Sequence, residues 1–356
     1  RTLVCVPDFN MRSMLQLRCL DHAGLRVGRY SGQRLPIVRS TMRFAPCRPL
    51  TGTAVGLQAC NQDWLDRRSE GGLRHKILEW GRDEERPLVL FLHANSLCAG
   101  VWAPVVQRLS QQIHAVACDL RAHGETDAPP KSASNYSWDT FGQDFLGIVE
   151  GVTARYGRPP RACVTHSFAG DCALIALATQ PRECDVQHMI LLDPVLADAE
   201  GATSGAQRLA KGTRKLGARE ADGYNSAEEV GEGLEKLLRA SLAKGALHPE
   251  AKAAFAEFGA FCDGSGRWRL RCSRDNEAEV YANRVALADF LEERQVNADV
   301  QLVFSSKRRG KLEDQDVSFA RDRKEAERVV SSCREGSAVH VLEGVGHFLV
   351  LEDPDS

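Results

Sequence analysis

A serine at the junction of an apolar run and a helix is a candidate nucleophile, and this 356-residue chain has one at Ser167. The stretch Thr165-His166-Ser167-Phe168-Ala169-Gly170 follows an apolar run over residues 161–164 and opens a small-residue helix over 170–179. Serine attacks a carbonyl only when a base takes its proton, and the turn must be tight enough to lift its oxygen clear of the sheet. The usual form of such a turn, G-x-S-x-G, carries glycine two residues to either side. Here Thr165 and Ala169 replace both glycines. A serine before a helix is also an ordinary N-cap, so the motif alone leaves both readings open. Two further residues favour the chemical one. Asp193 ends the next apolar run, and His347 lies in Gly344-Val345-Gly346-His347-Phe348 near the C-terminus.

Each group then has a task. A neutral imidazole at His347 accepts the Ser167 proton, since an unperturbed histidine titrates near neutral pH. Gly344 and Gly346 let that loop bring the ring over the sheet edge. Asp193 holds the histidine tautomer and stabilises the imidazolium that forms; its bland reading is a turn aspartate before Pro194. Intact residues of all three types argue against a ligand-binding protein that has lost turnover, the reading from another functional class.

These residues sit in a soluble, globular composition: 43% hydrophobic, with a net charge of −2. The size supports an ample core in one large domain or two, and nothing in the charge suggests nucleic acid as a partner. The longest apolar runs, over 87–93 and 188–192, fall far short of the roughly 18 residues of a membrane span. Twelve cysteines are scattered without a C-x-x-C pair, several within apolar strands. That pattern reads as reduced, buried thiols in an intracellular protein, cytoplasmic or organellar. No Cys or His pair has zinc-ligand spacing and no glycine-rich phosphate loop is present, so neither metal nor cofactor is expected. Residues 1–50 hold nine Arg, no Lys and only Asp8 and Asp21 as acids. The expectation for 1–72 is a basic extension, a leader or sequence outside the mature protein.

From residue 73 the pattern alternates short apolar runs with helical stretches, as a doubly wound, mostly parallel sheet requires. Strands are expected at 75–80, 88–93, 113–118, 162–166, 188–193, 300–305 and 338–342. Apolar residues at three-to-four spacing mark helices at 101–111, 138–156, 169–179 and 318–333. About a hundred residues separate Asp193 from the strand at Val300, too many for a structureless loop. Helix-forming composition at 227–243, 249–261 and 276–295 makes residues 195–296 a mainly helical cap inserted into a core of 73–194 and 297–356. Arg267-Trp268-Arg269-Leu270-Arg271 alternates as a strand or ribbon, and Trp268 is either a wall of the substrate pocket or part of the cap's own core.

Over roughly 73–356 the chain resembles a capped serine hydrolase of the α/β-hydrolase fold. Four blocks carry the resemblance: Leu92-His93-Ala94-Asn95-Ser96, similar to the family's oxyanion loop; Asp119-Leu120-Arg121-Ala122-His123-Gly124-Glu125-Thr126, similar to its D-x-R-G-x-G-x-S loop; the Ser167 elbow; and Gly346-His347-Phe348 followed by Glu352-Asp353-Pro354. More narrowly, His93-Ala94-Asn95 and Leu192-Asp193-Pro194 resemble capped hydrolases of fungal polyketide pathways that act on acyl-CoA thioesters. The resemblance implies the order Ser, Asp, His along the chain, and an oxyanion hole made by the backbone N–H groups of Asn95 and Phe168. The Asn95 side chain either adds its amide to that hole or shapes the loop.

Many members of the family carry the acid after the following strand. There this chain has Lys307, Arg308 and Arg309, so Asp193 is preferred over Asp314 and Asp316. Asp119, Arg121 and His123 are expected to brace the loop beneath the site, His166 to pack beside the elbow, and Cys98 and Cys172 to be core residues. A domain of this kind normally ends in one more helix, so the chain's end, nine residues after His347, is expected to be a truncation.

Related epoxide hydrolases and haloalkane dehalogenases attack through a carboxylate, whereas this elbow offers serine. The implied activity is hydrolysis of an ester or thioester of a small or medium acyl substrate through an acyl-enzyme on Ser167. Carbon–carbon bond hydrolases and cofactor-free lyases use the same triad.

Overall fold

The computed structural model describes residues 38–40, 60–65, 73–180, 186–220, 222–307 and 324–355. In chain order its strands are β1 (Val38–Ser40), β2 (Asn61–Trp64), β3 (Lys76–Trp80), β4 (Leu88–Leu92), β5 (His114–Cys118), β6 (Ala162–His166), β7 (His188–Leu192), β8 (Ala260–Cys262), β9 (Trp268–Leu270), β10 (Asp299–Lys307) and β11 (Ala338–Gly346). β8 and β9 form a separate antiparallel ribbon; the other nine make one sheet in the order β1-β11-β10-β7-β6-β4-β5-β3-β2. Its pairings are parallel except at one end, where β3 runs against both β5 and β2.

Every residue of β3, β4, β5 and β6 is buried, which is why these strands read as mainly apolar runs and not as alternation. Successive side chains still point to opposite faces. Leu88, Leu90, Leu92, Cys163 and Leu191 enter one core with α2 (Trp138–Tyr156) and α3 (Phe168–Thr179). Val89, Phe91, Val164, Ile190 and Leu192 enter the other, with the preceding helix α1 (Ala103–Leu109). Helix α2 occupies the span expected of it because both ends carry stop signals. The Ser137 side chain accepts from Thr140 N at its start, and Gly157 closes it at φ 67°. In the expected 318–333 segment, the described part is helical over 324–331.

Between β7 and β10 the chain folds into α4 (Ala206–Arg219), α5 (Ala227–Leu238), α6 (Pro249–Gly259), the ribbon, α7 (Arg274–Ala282) and α8 (Leu287–Leu291). The helix expected over 276–295 is two, because Asn283 Nδ2 donates to the Glu279 carbonyl (2.8 Å) and closes the last turn of α7. The insertion serves both faces of the sheet. Val230, Leu234, Leu238 and Phe255 join the α1 core, while Val280, Leu287 and Leu291 join the α2–α3 core.

Two sheet strands come from within residues 1–72, expected from composition to be an extension. β1 lies parallel to β11, with Val38 opposite His340, and β2 lies antiparallel to β3, with Asn61 opposite Glu79. β2 escaped detection because it is an exposed edge with no apolar alternation. It is anchored by buried Leu65 and by Arg74 stacked on Trp64 at 4.8 Å. The remainder of 1–72 lies outside the described residues. No helix among the described residues is long and apolar enough to cross a membrane.

Candidate active site

The carboxyl ends of β6, β7 and β11 bring three distant residues to one place. Ser167 follows β6 directly, at φ 56° and ψ −133°. Its N–H donates to the Leu192 carbonyl (2.9 Å), its carbonyl accepts from Gly170 N (3.1 Å), and its side chain makes no capping bond to α3. The N-cap reading therefore fails. A cap has extended backbone and spends its oxygen on the helix, whereas this serine holds a strained conformation that costs about 1–3 kcal/mol.

Asp193 follows β7, also at positive φ (43°), with its N–H on the Val303 carbonyl (2.7 Å). Oδ1 accepts from both Ser305 N (2.8 Å) and Ser305 Oγ (3.1 Å), while Oδ2 lies 2.6 Å from His347 Nδ1. A carboxylate only accepts, so Nδ1 carries the proton and Nε2 keeps its lone pair. Asp314 and Asp316, the other acids considered, lie outside the described residues.

His347 follows β11, and the tightness of that turn explains its glycine. A Cβ on Gly346 would stand 2.1 Å from the Ser241 carbonyl oxygen, the acceptor of the His347 N–H (3.1 Å). His166 is not part of the proton path. It donates Nε2–H to the His347 carbonyl (2.8 Å), and burial pushes its pKa down to about 3, so it stays neutral.

Ser167, Asp193 and His347 line one cavity of about 270 Å³, together with Asn95 and Phe168. Among the described residues neither the Asn95 N–H nor the Phe168 N–H meets a protein acceptor; the latter is one of the open donors of a helix N-terminus. The Asn95 amide itself is occupied. Nδ2 donates to the Glu277 carbonyl (3.1 Å) and Oδ1 accepts from Ser96 N (3.0 Å), so the side chain shapes the loop and ties it to α7.

Trp268 does not line this cavity. It exchanges both backbone hydrogen bonds with Tyr224 (2.9 Å each) and packs half-buried against the α1-side core, where the β8–β9 ribbon lies. The aromatic wall comes instead from Trp138, Tyr281 and Phe348, and the insertion adds Val195, Leu209 and Arg284. Sequence carried no signal for these. Trp138 reads as the first residue of a helix, and Tyr281, in α7, and Arg284, just after it, face the cavity only through an orientation that the fold supplies.

A model of the alpha/beta hydrolase family matches residues 89–356. The chain belongs to this family. Protein phosphatase methylesterase 1 of Homo sapiens is 30% identical over 135 residues, 37% of this chain and 33% of that protein, so the chain spans about a third of the methylesterase it matches. Epoxide hydrolase 3 of Xenopus tropicalis is 27% identical over 154 residues, 43% of this chain and 40% of that protein. Among solved structures, E-2-(acetamidomethylene)succinate hydrolase superposes with a TM-score of 0.62 at 21% identity, covering 83% of this chain and 96% of that one.

In this α/β-hydrolase the loop after β5 is a brace. Asp119 Oδ1 accepts from Ala99 N (2.6 Å) and Oδ2 from Glu125 N (2.9 Å), although burial raises its carboxyl to about 6. Arg121 forks onto buried Asp144 at 2.5 and 2.7 Å. His93 and His123 are buried and held neutral by desolvation, His123 at about 4. Cys98 and Cys172 are buried, and burial raises both thiols, which removes them as nucleophiles at neutral pH. Among the described residues no cluster of three His, Cys, Asp or Glu could hold a metal ion.

Proposed function

We propose that the protein is a serine hydrolase that cleaves a small carboxylic ester or thioester through an acyl-enzyme on Ser167. The observation that carries this reading is the 2.6 Å bond from His347 Nδ1–H to Asp193 in a cavity that Ser167 also lines. His347 Nε2 takes the Ser167 proton as Oγ bonds to the carbonyl carbon, and Asp193 stabilises the imidazolium. Negative charge on the carbonyl oxygen is met by the N–H groups of Asn95 and Phe168, donors that need no reorganisation. The C–O or C–S bond then breaks, with the imidazolium returning its proton to the leaving group. Water, activated by the same His347, releases the acid and regenerates Ser167.

A serine at this position supports acyl transfer and not the alkyl-enzyme route of a carboxylate nucleophile. The insertion between β7 and β10 is the cap: Val195, Leu209, Tyr281 and Arg284 line the cavity, whose volume suits a small-molecule substrate. The experiment is intact-mass analysis after exposure to a fluorophosphonate. One adduct per chain, absent in Ser167→Ala, supports the reading, with Tm shifted by no more than a degree or two in the variant because alanine keeps the backbone and removes no hydrogen bond. No adduct on folded wild-type protein, or an adduct that survives in the variant, refutes it.

A further inference from the structure

Helix α4 of the insertion carries charge that the fold does not use. Its solvent side presents Arg208, Lys211, Arg214, Lys215 and Arg219, all exposed, and the helix contains no acid. The chain as a whole has a net charge of −2, so this face runs against the average. Arg214 pairs with Glu279 of α7 at 2.8 Å. Among the described residues the other four cations have no ion-pair partner. The neighbouring carboxylates of Glu220 and Glu277 are taken, because both hold Arg274, each at 2.8 Å. Elsewhere in the insertion Lys252 sits on Glu235 (3.2 Å) and Arg269 on Asp263 (2.9 Å).

The uncompensated face works against its own helix. Arg208 and Lys211, Lys211 and Arg214, Lys211 and Lys215, and Lys215 and Arg219 are like-charge neighbours at three- or four-residue spacing, and each such pair is destabilising. An anion laid across the face relieves that repulsion.

Shape and spacing favour one kind of anion. Gln207, Lys211, Arg214, Lys215 and Ala218 line a surface groove of about 560 Å³. Lys211, Lys215 and Arg219 follow one another at four-residue intervals, about 6 Å apart along the helix axis. Side chains on one face of an extended chain recur about every 6.6 Å, so alternate carboxylates of a peptide meet successive cations of α4. From Arg208 to Arg219 the helix rises about 16 Å, the length of about five extended residues. A flat anionic bilayer matches less well, because Gln207 and Ala218, the other exposed side chains of α4, offer nothing to insert below the headgroups. The same helix reaches the candidate active site, since Leu209 lines the cavity of Ser167.

We propose that the cationic face of α4 docks an extended, acidic polypeptide segment of a partner protein, rich in Asp or Glu. This docking needs no reaction at Ser167, so failure of either reading leaves the other standing. The test is fluorescence anisotropy of a fluorescein-labelled octaglutamate peptide titrated with the full chain at about 0.15 M salt. The double variant Lys211→Gln, Lys215→Gln is expected to weaken binding about fivefold or more, while Lys236→Gln, Arg239→Gln, which removes the same charge at the end of α5, changes it by less than about twofold. All four side chains are exposed, so Tm stays the same in both variants. A second readout locates the peptide on the wild-type protein. Carbodiimide activation joins the peptide's carboxylates to lysine amines as amides, the reagent leaving as its urea, and the cross-links are expected at Lys211 and Lys215. Equal weakening by the two double variants, or cross-links spread over lysines of other elements, overturns the proposal. So does a lack of peptide binding, and binding to phosphatidylserine vesicles alone assigns the face to a membrane instead.

Discussion

Replacing Asp193 by asparagine separates the triad acid from a merely structural turn residue, and the outcome follows from the two sides of its carboxylate. Oδ1 is held by two donors of Ser305, at 2.8 and 3.1 Å. An asparagine must place its carbonyl oxygen there, because its NH₂ cannot accept from either. The NH₂ then takes the place of Oδ2, 2.6 Å from His347 Nδ1. A donor there forces Nδ1 to accept, so the histidine proton moves to Nε2 and faces Ser167, and the base is lost. The fold is kept, since the Ser305 bonds survive and asparagine tolerates the φ of 43° at this position. The expected loss in kcat is on the order of 10⁴, about 5.5 kcal/mol at ~1.36 kcal/mol per decade. The assay is turnover of an activated aryl ester under saturation, with Tm as the control. A fall in kcat smaller than about tenfold at unchanged Tm would refute the reasoning and return Asp314 and Asp316 as candidates for the acid.

Asp171→Asn tests a buried carboxyl that burial raises to about 7, against the two N–H donors that lower it. Between the unfolded value near 3.8 and about 7, the native state holds a proton that the unfolded chain has released, so wild-type stability falls as pH rises through that window. The amide cannot ionise, so its Tm falls by several degrees less than the wild type's between pH 5 and pH 8; equal slopes refute the assignment. Gly346→Ala places a methyl 2.1 Å from the Ser241 oxygen, an overpacking that costs about 1–3 kcal/mol. It is expected to lower Tm by several degrees and to reduce kcat by displacing His347, and an unchanged Tm in a thermal melt contradicts that geometry.

What could be read from sequence was what local chemistry dictates. Strands buried on both faces are mainly apolar, so β3 to β7 were legible as runs, and α2 was legible from its three-to-four apolar spacing. Asp193 stood out as a candidate because it ends an apolar run, and His347 because of the glycines in its loop and its place near the C-terminus. Helix α4 was not found, because its buried stripe is only Ala206, Ala210 and Thr213 among five cations. β2 was missed because an edge strand need not alternate, and the last residues of the helix expected over 249–261 became β8 by pairing with a ribbon partner. Trp268 was a fair candidate for the pocket by residue type, but which core a ribbon joins is a tertiary fact. For the same reason nothing in the local pattern marked Arg284.

The elbow also shows why its two missing glycines do not matter. The positive φ falls on Ser167 itself and not on Thr165 or Ala169, and both of those side chains are small enough to be fully enclosed. The position that tolerates no side chain is Gly170, where a Cβ would approach Leu191 at 2.7 Å and Thr165 Oγ1 at 2.8 Å. The steric demand behind the motif is met one residue later than its usual spelling. Four of the five described non-glycine residues at positive φ, Ser96, Ser167, Asp193 and Leu196, either line the cavity or adjoin residues that do. Each such conformation costs about 1–3 kcal/mol and survives only where the surrounding packing over-determines it. A sheet buried on both faces supplies that packing, so the strain accumulates at the strand ends that carry Ser167 and Asp193.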